Sequence, residues 1–345
     1  MQNGKNEYPK VSIIIVALNA QRTLESCLKY IQSQTYPNID EVLVVDGGST
    51  DNTYNIACRS TLPIKFIKGG YRNNQEARRV VGIEKSRNEI CAFIDSDNYM
   101  ISKSWLNDMV QPLLDDKNII ASQTLRYAVP RSATLLDRYF GLLGGADPVV
   151  YYLGKNDRLS WAFGKWNLLG KVIEEKDKYL IIEFDPNNYP TVGCNGIVFR
   201  RSVLLKSNWG EAVNYFHTDV FVDVAKLGFT KFAIVKNEIF HNTAGNINTF
   251  FRKRKRYMEL YHQKLNKKRR YLIFDRKNFR DIARLFLYIF FTFTIIEPLS
   301  ESIRGYFKKR DIAWFLHPIM CVGMAVIYFE SIIYNLFCNM LSYKK

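Results

Sequence analysis

Four short, mainly apolar runs in the first hundred residues, alternating with segments of helical spacing, constrain this chain most. They are Val11–Val16, Glu41–Val45, Ile64–Ile67 and Ile90–Ile94, separated by helical patterns at Thr23–Ser33 (Leu24, Leu28, Ile31) and Asn74–Ser86. Runs without polar alternation read as strands buried on both faces, and strands alternating with helices require a mostly parallel sheet covered on both sides. In such sheets the ligand crevice lies beyond the carboxyl ends of the strands. Those ends are polar here. The first run ends in Ala17-Leu18-Asn19, and the second in Asp46-Gly47-Gly48-Ser49-Thr50-Asp51, where glycines permit a tight turn and Ser49 to Asp51 can cap the next helix. The fourth ends in Asp95-Ser96-Asp97. Two carboxylates one residue apart repel unless a cation lies between them. Mg²⁺ or Mn²⁺ suits this place, because such ions bind through one or two carboxylates and keep other positions for water and substrate phosphate oxygens. A solvated turn or helix cap is the plainer alternative.

Further along, a helix at Ser104–Leu114 and a strand at Ile119–Tyr127 are expected, then an aromatic, glycine-rich stretch from Arg131 to Gly170 that reads as a loop or short helices over the crevice. Lys171–Phe184 reads as a hairpin turning at Lys176-Asp177. Thr191–Arg201 reads as a turn feeding a strand, Tyr215–Leu227 as a helix ended by Gly228, and Lys231–Val235 and Ile239–His241 as two more strands.

The formal charge of +16 is uneven, and most of it falls between Arg252 and Arg280, which hold thirteen lysines and arginines against Glu259 and Asp275. Such a concentration points to an anionic surface. Two apolar blocks follow, Ile282–Leu299 and Ile312–Leu341. The first is marginal for crossing a bilayer and the second is long enough with some tilt. Arg304, Lys308, Lys309 and Arg310 between them resist translocation. Membrane attachment is therefore expected, with spanning and lying in the interface both left open. The six cysteines are scattered without metal-ligand spacing, which fits buried, reduced thiols, and the polar N-terminus lacks a signal-type apolar region. No nucleic-acid-binding motif is present, so nucleic acid is not an expected partner.

The three strand-end motifs, in this order and spacing, resemble the inverting family 2 glycosyltransferases over about Tyr8 to Met258: Val11–Ile15 ending at Asn19, Val44–Thr53, and Phe93–Asp97. The resemblance implies a GT-A fold, Rossmann-like, and the composition adds a C-terminal apolar helical membrane region. Together they give expected domains at 1–250 (catalytic), 251–281 (basic linker or interfacial helix) and 282–345 (two membrane-associated helices). It places Ala17, Asn19, Asp46, Arg78, Asp95 and Ser96 at a nucleotide-sugar, with Asp46 at the base, and Asp97 with His241 at a divalent cation, Mg²⁺ or Mn²⁺. Asn195 and Gly196, with Arg252 and Arg256, would lie on the acceptor and diphosphate side. The family's usual Glu-Asp pair is missing. Alignment by Gly228 puts His217 at the position of the base and local pattern puts Asp219 there, while an acceptor phosphate, already ionised, needs no strong base.

The expected function is transfer of a sugar, with inversion, from a nucleotide-sugar, UDP-linked first, to a lipid-linked saccharide or polyprenyl phosphate. The expected place is the cytoplasmic face of the cell membrane, in polysaccharide assembly, and assembly as a homo-oligomer is left open. Two rivals are a catalytically silent membrane-bound sugar-nucleotide binder and an aspartyl phosphatase using Asp95. The phosphatase motif normally has Thr or Val where Tyr99 stands.

Overall fold

The computed structural model describes residues 8–243, 245–265 and 268–342, without the side chains of His262 and of 335–342. By packing, the chain forms two compact units, 8–126 with 170–242 and 127–169 with 243–342.

The first unit is built on a mixed sheet. Its strands are β1 (Val11–Ala17), β2 (Ile39–Asp46), β3 (Ile64–Lys68), β4 (Ile90–Phe93), β5 (Asn98–Tyr99), β6 (Ile119–Tyr127), β7 (Lys171–Glu175), β8 (Tyr179–Glu183), β9 (Ile197–Arg200) and β10 (Lys231–His241). The order is β3-β2-β1-β4-β9-β6-β10-β8-β7, with β5 on β10. β1 is buried along all seven residues because it is central, parallel to β2 on one side and β4 on the other. The register pairs Ala17 with Asp46 and Asp46 with Lys68, so the first three strands end level with one another.

The helices of this unit are α1 (Leu24–Gln32), α2 (Thr53–Cys58), α3 (Gln75–Lys85) and α4 (Trp105–Asp115); the second unit begins with α5 (Leu135–Leu143) and α6 (Pro148–Tyr152). The chain then returns with α7 (Arg201–Leu204) and α8 (His217–Lys226). α3 packs so closely on β1 that a Cβ on Gly82 would meet Ile14 Cγ2 at 2.3 Å. The hairpin forms around Lys176-Asp177 as its pattern suggests. Lys231–Val235 and Ile239–His241 are one strand rather than two. Its first half pairs with β8, and Phe240 and His241 pair with Tyr99 and Asn98 of β5.

The second unit is helical. It adds α9 (Ile247–Tyr257), which runs into a π-helical stretch at Met258–Lys264, then α10 (Phe279–Thr294), α11 (Ile296–Lys308) and α12 (His317–Ser342). The stretch from Arg131 thus supplies helices to a core shared with the C-terminal segment, in which Tyr139, Phe140 and Leu143 pack with Trp314 and Met320. A second cluster joins Val149, Leu153, Met258, Tyr288, Cys321 and Met324. Buried ion pairs tie this unit together, notably Lys155–Asp281 at 2.6 Å and Arg254–Asp147. Among the described residues, Ile312–Tyr334 alone is long and apolar enough to cross a membrane by itself, and 44% of its most apolar window is buried inside the protein. Of the cysteines with described side chains, Cys58 is exposed and the others are buried and unpaired. Cys338 lies outside that description.

Candidate active site

The carboxyl ends of β1, β2 and β4 bring three of the sequence motifs to one edge of the first unit. Asp46 turns back on its own loop, where its Oδ2 accepts from Gly48 N at 2.8 Å and Ser49 N at 2.9 Å. The Asn19 N–H donates to Ser49 Oγ, and Asn19 Oδ1 accepts from Thr50 N. Asn19 holds φ +50°, a left-handed conformation that asparagine tolerates better than most side chains. Ala17 is buried beneath these loops. Asp51 Oδ1 accepts from Thr53 N at 3.0 Å, the capping role expected of this turn.

Arg78 and Arg79 are both buried, not the exposed face of a helix. Arg78 lies against the Asp46 turn, where a Cβ on Gly47 would meet its Nη1 at 2.8 Å, and it donates to the carbonyls of Tyr71 and Arg72. Arg72 in turn donates to the Gly48 carbonyl. Two guanidinium groups therefore flank the loop that carries Asp46.

Arg79, absent from the sequence-derived site, meets the first acid of the pair. Its Nη2 donates to both oxygens of Asp95, at 2.9 and 3.0 Å, and its Nη1 to Glu76. Glu76 Oε2 also accepts from the backbone N of His217 (3.2 Å) and lies 2.9 Å from His217 Nδ1. A carboxylate from α3 thus caps α8, whose own N-cap residue, Phe216, makes no side-chain cap. Burial works against the imidazolium of His217, but the Cys194 sulfur and the Glu76 carboxylate outweigh it and push its pKa up to about 10. Burial likewise works against the Glu76 carboxylate, but Arg79 and His217 hold it down at about 2. Asp95 is raised, chiefly by burial and further by Asp97, against the opposing pull of Arg79.

Asp97 looks the other way. Its Oδ1 lies 3.5 Å from His241 Nε2, and each side chain is 29% exposed. The pairing of β5 with β10 sets this meeting: His241 stands opposite Asn98, and Asn242 N donates to the Asp97 carbonyl. His241 Nδ1 is 3.3 Å from Asn195 Nδ2, so Asn195, His241 and Asp97 form one row. Gly196 beside them has φ +76°, and a Cβ there would meet Ile239 Cδ1 at 2.7 Å. Ser96 lies between the two acids, partly exposed.

No group of three or more His, Cys, Asp or Glu side chains among the described residues is arranged to hold a metal on its own. Asp97 with His241 fits instead the partial donor set of a hard cation that takes its remaining ligands from a substrate diphosphate and water. Asp219 is fully buried in the first turn of α8, whereas the His217 side chain keeps 15% exposure. Arg252 and Arg256 are exposed on α9, in the second unit.

A doubly wound sheet with acids and buried arginines at its carboxyl edge defines a nucleotide-handling α/β domain of GT-A type. Residues 12–205, more than half of the chain, match the sequence profile of Glycosyl transferase family 2, and the chain belongs to that family.

Glycosyltransferase AglE of Haloferax volcanii is 33% identical over 135 residues, 38% of this chain and 44% of its own length. The UDP-Glc:alpha-D-GlcNAc-diphosphoundecaprenol beta-1,3-glucosyltransferase WfaP of Escherichia coli is 33% identical over 100 residues, 29% of this chain and 39% of that protein. The matched region thus spans less than half the length of these relatives. Mannosyltransferase PcManGT from Pyrobaculum calidifontis, solved with GDP-Man and Mn2+, has a TM-score of 0.55 over 96% of this chain and 88% of its own, at 15% identity, a likeness of fold.

Proposed function

We propose that this protein transfers a sugar, with inversion, from a nucleotide-sugar to a polyprenyl-linked acceptor at a membrane surface, and that the transfer depends on a divalent cation. The observation that carries the reading is the row Asn195–His241–Asp97 next to the Arg79-held Asp95, at the same sheet edge as the Asp46 loop. Asp46 would accept from the base, beside Asn19 and Ala17, while Arg78 and Arg72 hold that loop in shape. Asp97 and His241 would hold Mg²⁺ or Mn²⁺. When bound, that cation supplies positive charge to the diphosphate oxygen from which the anomeric carbon departs. Arg79 fixes the Asp95 carboxylate so that it points one way through the reaction.

The proton ledger favours one acceptor class. Alignment by Gly228 would put His217 at the base, but the Cys194 sulfur and the Glu76 carboxylate favour its protonated form at neutral pH; the local pattern would put Asp219 there instead. Asp219 lies inside the fold. An acceptor that arrives as an anion, such as a polyprenyl phosphate, needs neither to take a proton. A saccharide hydroxyl on a lipid diphosphate is the second reading, favoured by the substrate for which the WfaP relative is named.

The basic residues from Arg252 and the apolar helices would bring the protein to the membrane, the role proposed for 251–281 and 282–345, with 1–250 as the catalytic part. Nucleotide release from UDP-, GDP- and dTDP-sugars, with Mn²⁺ and with polyprenyl phosphate or a lipid-linked saccharide, tests all of this. Release that needs metal and is accelerated by polyprenyl phosphate is expected. Phosphate release from simple monoesters with no sugar nucleotide present would instead support the phosphatase, and no nucleotide release at all the silent binder.

A further inference from the structure

We infer that α12 lies along one leaflet of an anionic bilayer rather than across it, so that the linker after α11 and the C-terminus stay on the same side. This deepens the membrane attachment proposed above and rests on it.

One face of α12 is held to its own unit, by polar contacts as well as by the apolar clusters around Met320 and Met324. Near its start, His317 lies between the hydroxyls of Tyr139 (2.8 Å) and Tyr152 (3.1 Å). In its middle, a Cβ on Gly323 would meet the Phe251 ring of α9 at 2.1 Å, and Tyr328 donates to Asp147 at 2.8 Å. Further on, Glu330 pairs with Lys255 of α9 at 2.7 Å and Ser331 accepts from Gln263 at 3.2 Å. Polar anchors therefore run from His317 to Ser331, about 21 Å of helix.

α9 carries Arg252, Lys253 and Arg256, all exposed. A spanning α12 would drag them into hydrocarbon, where a central Lys or Arg costs about 2.5–3.5 kcal/mol even on insertion scales. What remains, Ile332 to Ser342, is about 16 Å long, half of the roughly 30 Å needed.

α10 and α11 have the same two-sided character. They are 16 and 13 residues long and meet at an 88° bend at Ile295, which takes φ +61°. Their inner faces bury Asp281, Tyr288, Glu301 and Ser302. Their outer faces expose Phe290, Phe293, Ile296 and Phe307, with Phe293 90% exposed, and α12 exposes Phe329. Apolar outer faces with exposed Lys308 and Arg310 beside them suit a surface of anionic lipid headgroups over acyl chains.

The full chain is reconstituted on sealed vesicles of phosphatidylcholine and phosphatidylglycerol and labelled with a membrane-impermeant maleimide-polyethylene glycol. Exposed Cys58 of the first unit reports which side that unit faces. Two variants, Arg310→Cys and a cysteine added after Lys345, should each take one more label than the parent before detergent is added. A terminal cysteine labelled only after detergent would show that α12 spans, and Arg310→Cys labelled only after detergent would show that the helices form a spanning hairpin. Either overturns the inference while leaving membrane attachment standing. Failure of the parent to float with vesicles would sink both.

Discussion

The Glu76–His217 pair makes a prediction about stability that can be worked through with its sign. His217 moves from 6.5 in the unfolded chain up to about 10 in the fold, so its contribution is complete below pH 6.5 and is lost as pH rises toward 10. Glu76 moves from 4.5 down to about 2, so its contribution is complete above pH 4.5 and is lost as pH falls toward 2. Both are whole only between pH 4.5 and 6.5. At about 1.4 kcal/mol per tenfold change in protonation, the histidine's share is on the order of 3–5 kcal/mol. The variant His217→Gln removes the titrating ring but leaves Arg79 on Glu76, so the carboxylate is not orphaned. Urea unfolding of parent and variant, followed by tryptophan fluorescence from pH 6 to pH 10, isolates His217 with its Cys194 and Glu76 partners, because other titrations are common to both. The parent should lose about 3–5 kcal/mol more than the variant across that range. Parallel curves would refute the reasoning and release His217 to act as a base.

Arg79→Ala leaves Glu76 buried with one partner fewer and frees Asp95, so a loss of about 3–5 kcal/mol in unfolding free energy is expected, with Arg79→Lys milder. Denaturation midpoints decide it, and a change under about 1 kcal/mol would count against the network. Gly196→Ala meets both a left-handed backbone and Ile239, and should cost about 1–3 kcal/mol in the same measurement. Phe293→Glu with Phe307→Glu changes only exposed rings; vesicle flotation should fall at least about tenfold while the unfolding midpoint holds.

Much of the first unit was legible because its signals are local. The runs at Val11, Glu41 and Ile90 are almost wholly apolar, as strands buried on both faces are, the Ile64 run keeps exposed lysines because it is the edge strand, and their polar ends announce the crevice. The acids at 95 and 97 were legible as a pair, but not that they part company, one to Arg79 and the other to His241. That division depends on β5 pairing with β10 across more than a hundred residues, which no local pattern encodes. Arg79 could have been found: it precedes Gly82 by three residues, and Gly82 is on the face that packs against β1, so Arg79 and Glu76 share an inward helix face. The segment from Tyr127 to Leu169 was opaque because its apolar residues answer to Trp314, Met320 and Met324, far along the chain. A cut before Ile282 would therefore strip core from the helices at 135–152 as well as remove the apolar tail.

The most direct test is a crystal of the protein grown with manganese and a nucleotide-sugar, with the metal located by its anomalous scattering. The account predicts a peak beside Asp97 and His241, in contact with the diphosphate, and the base at the Asp46 loop. A nucleotide bound elsewhere, or a diphosphate seated at the strand ends with no metal beside Asp97, would contradict it.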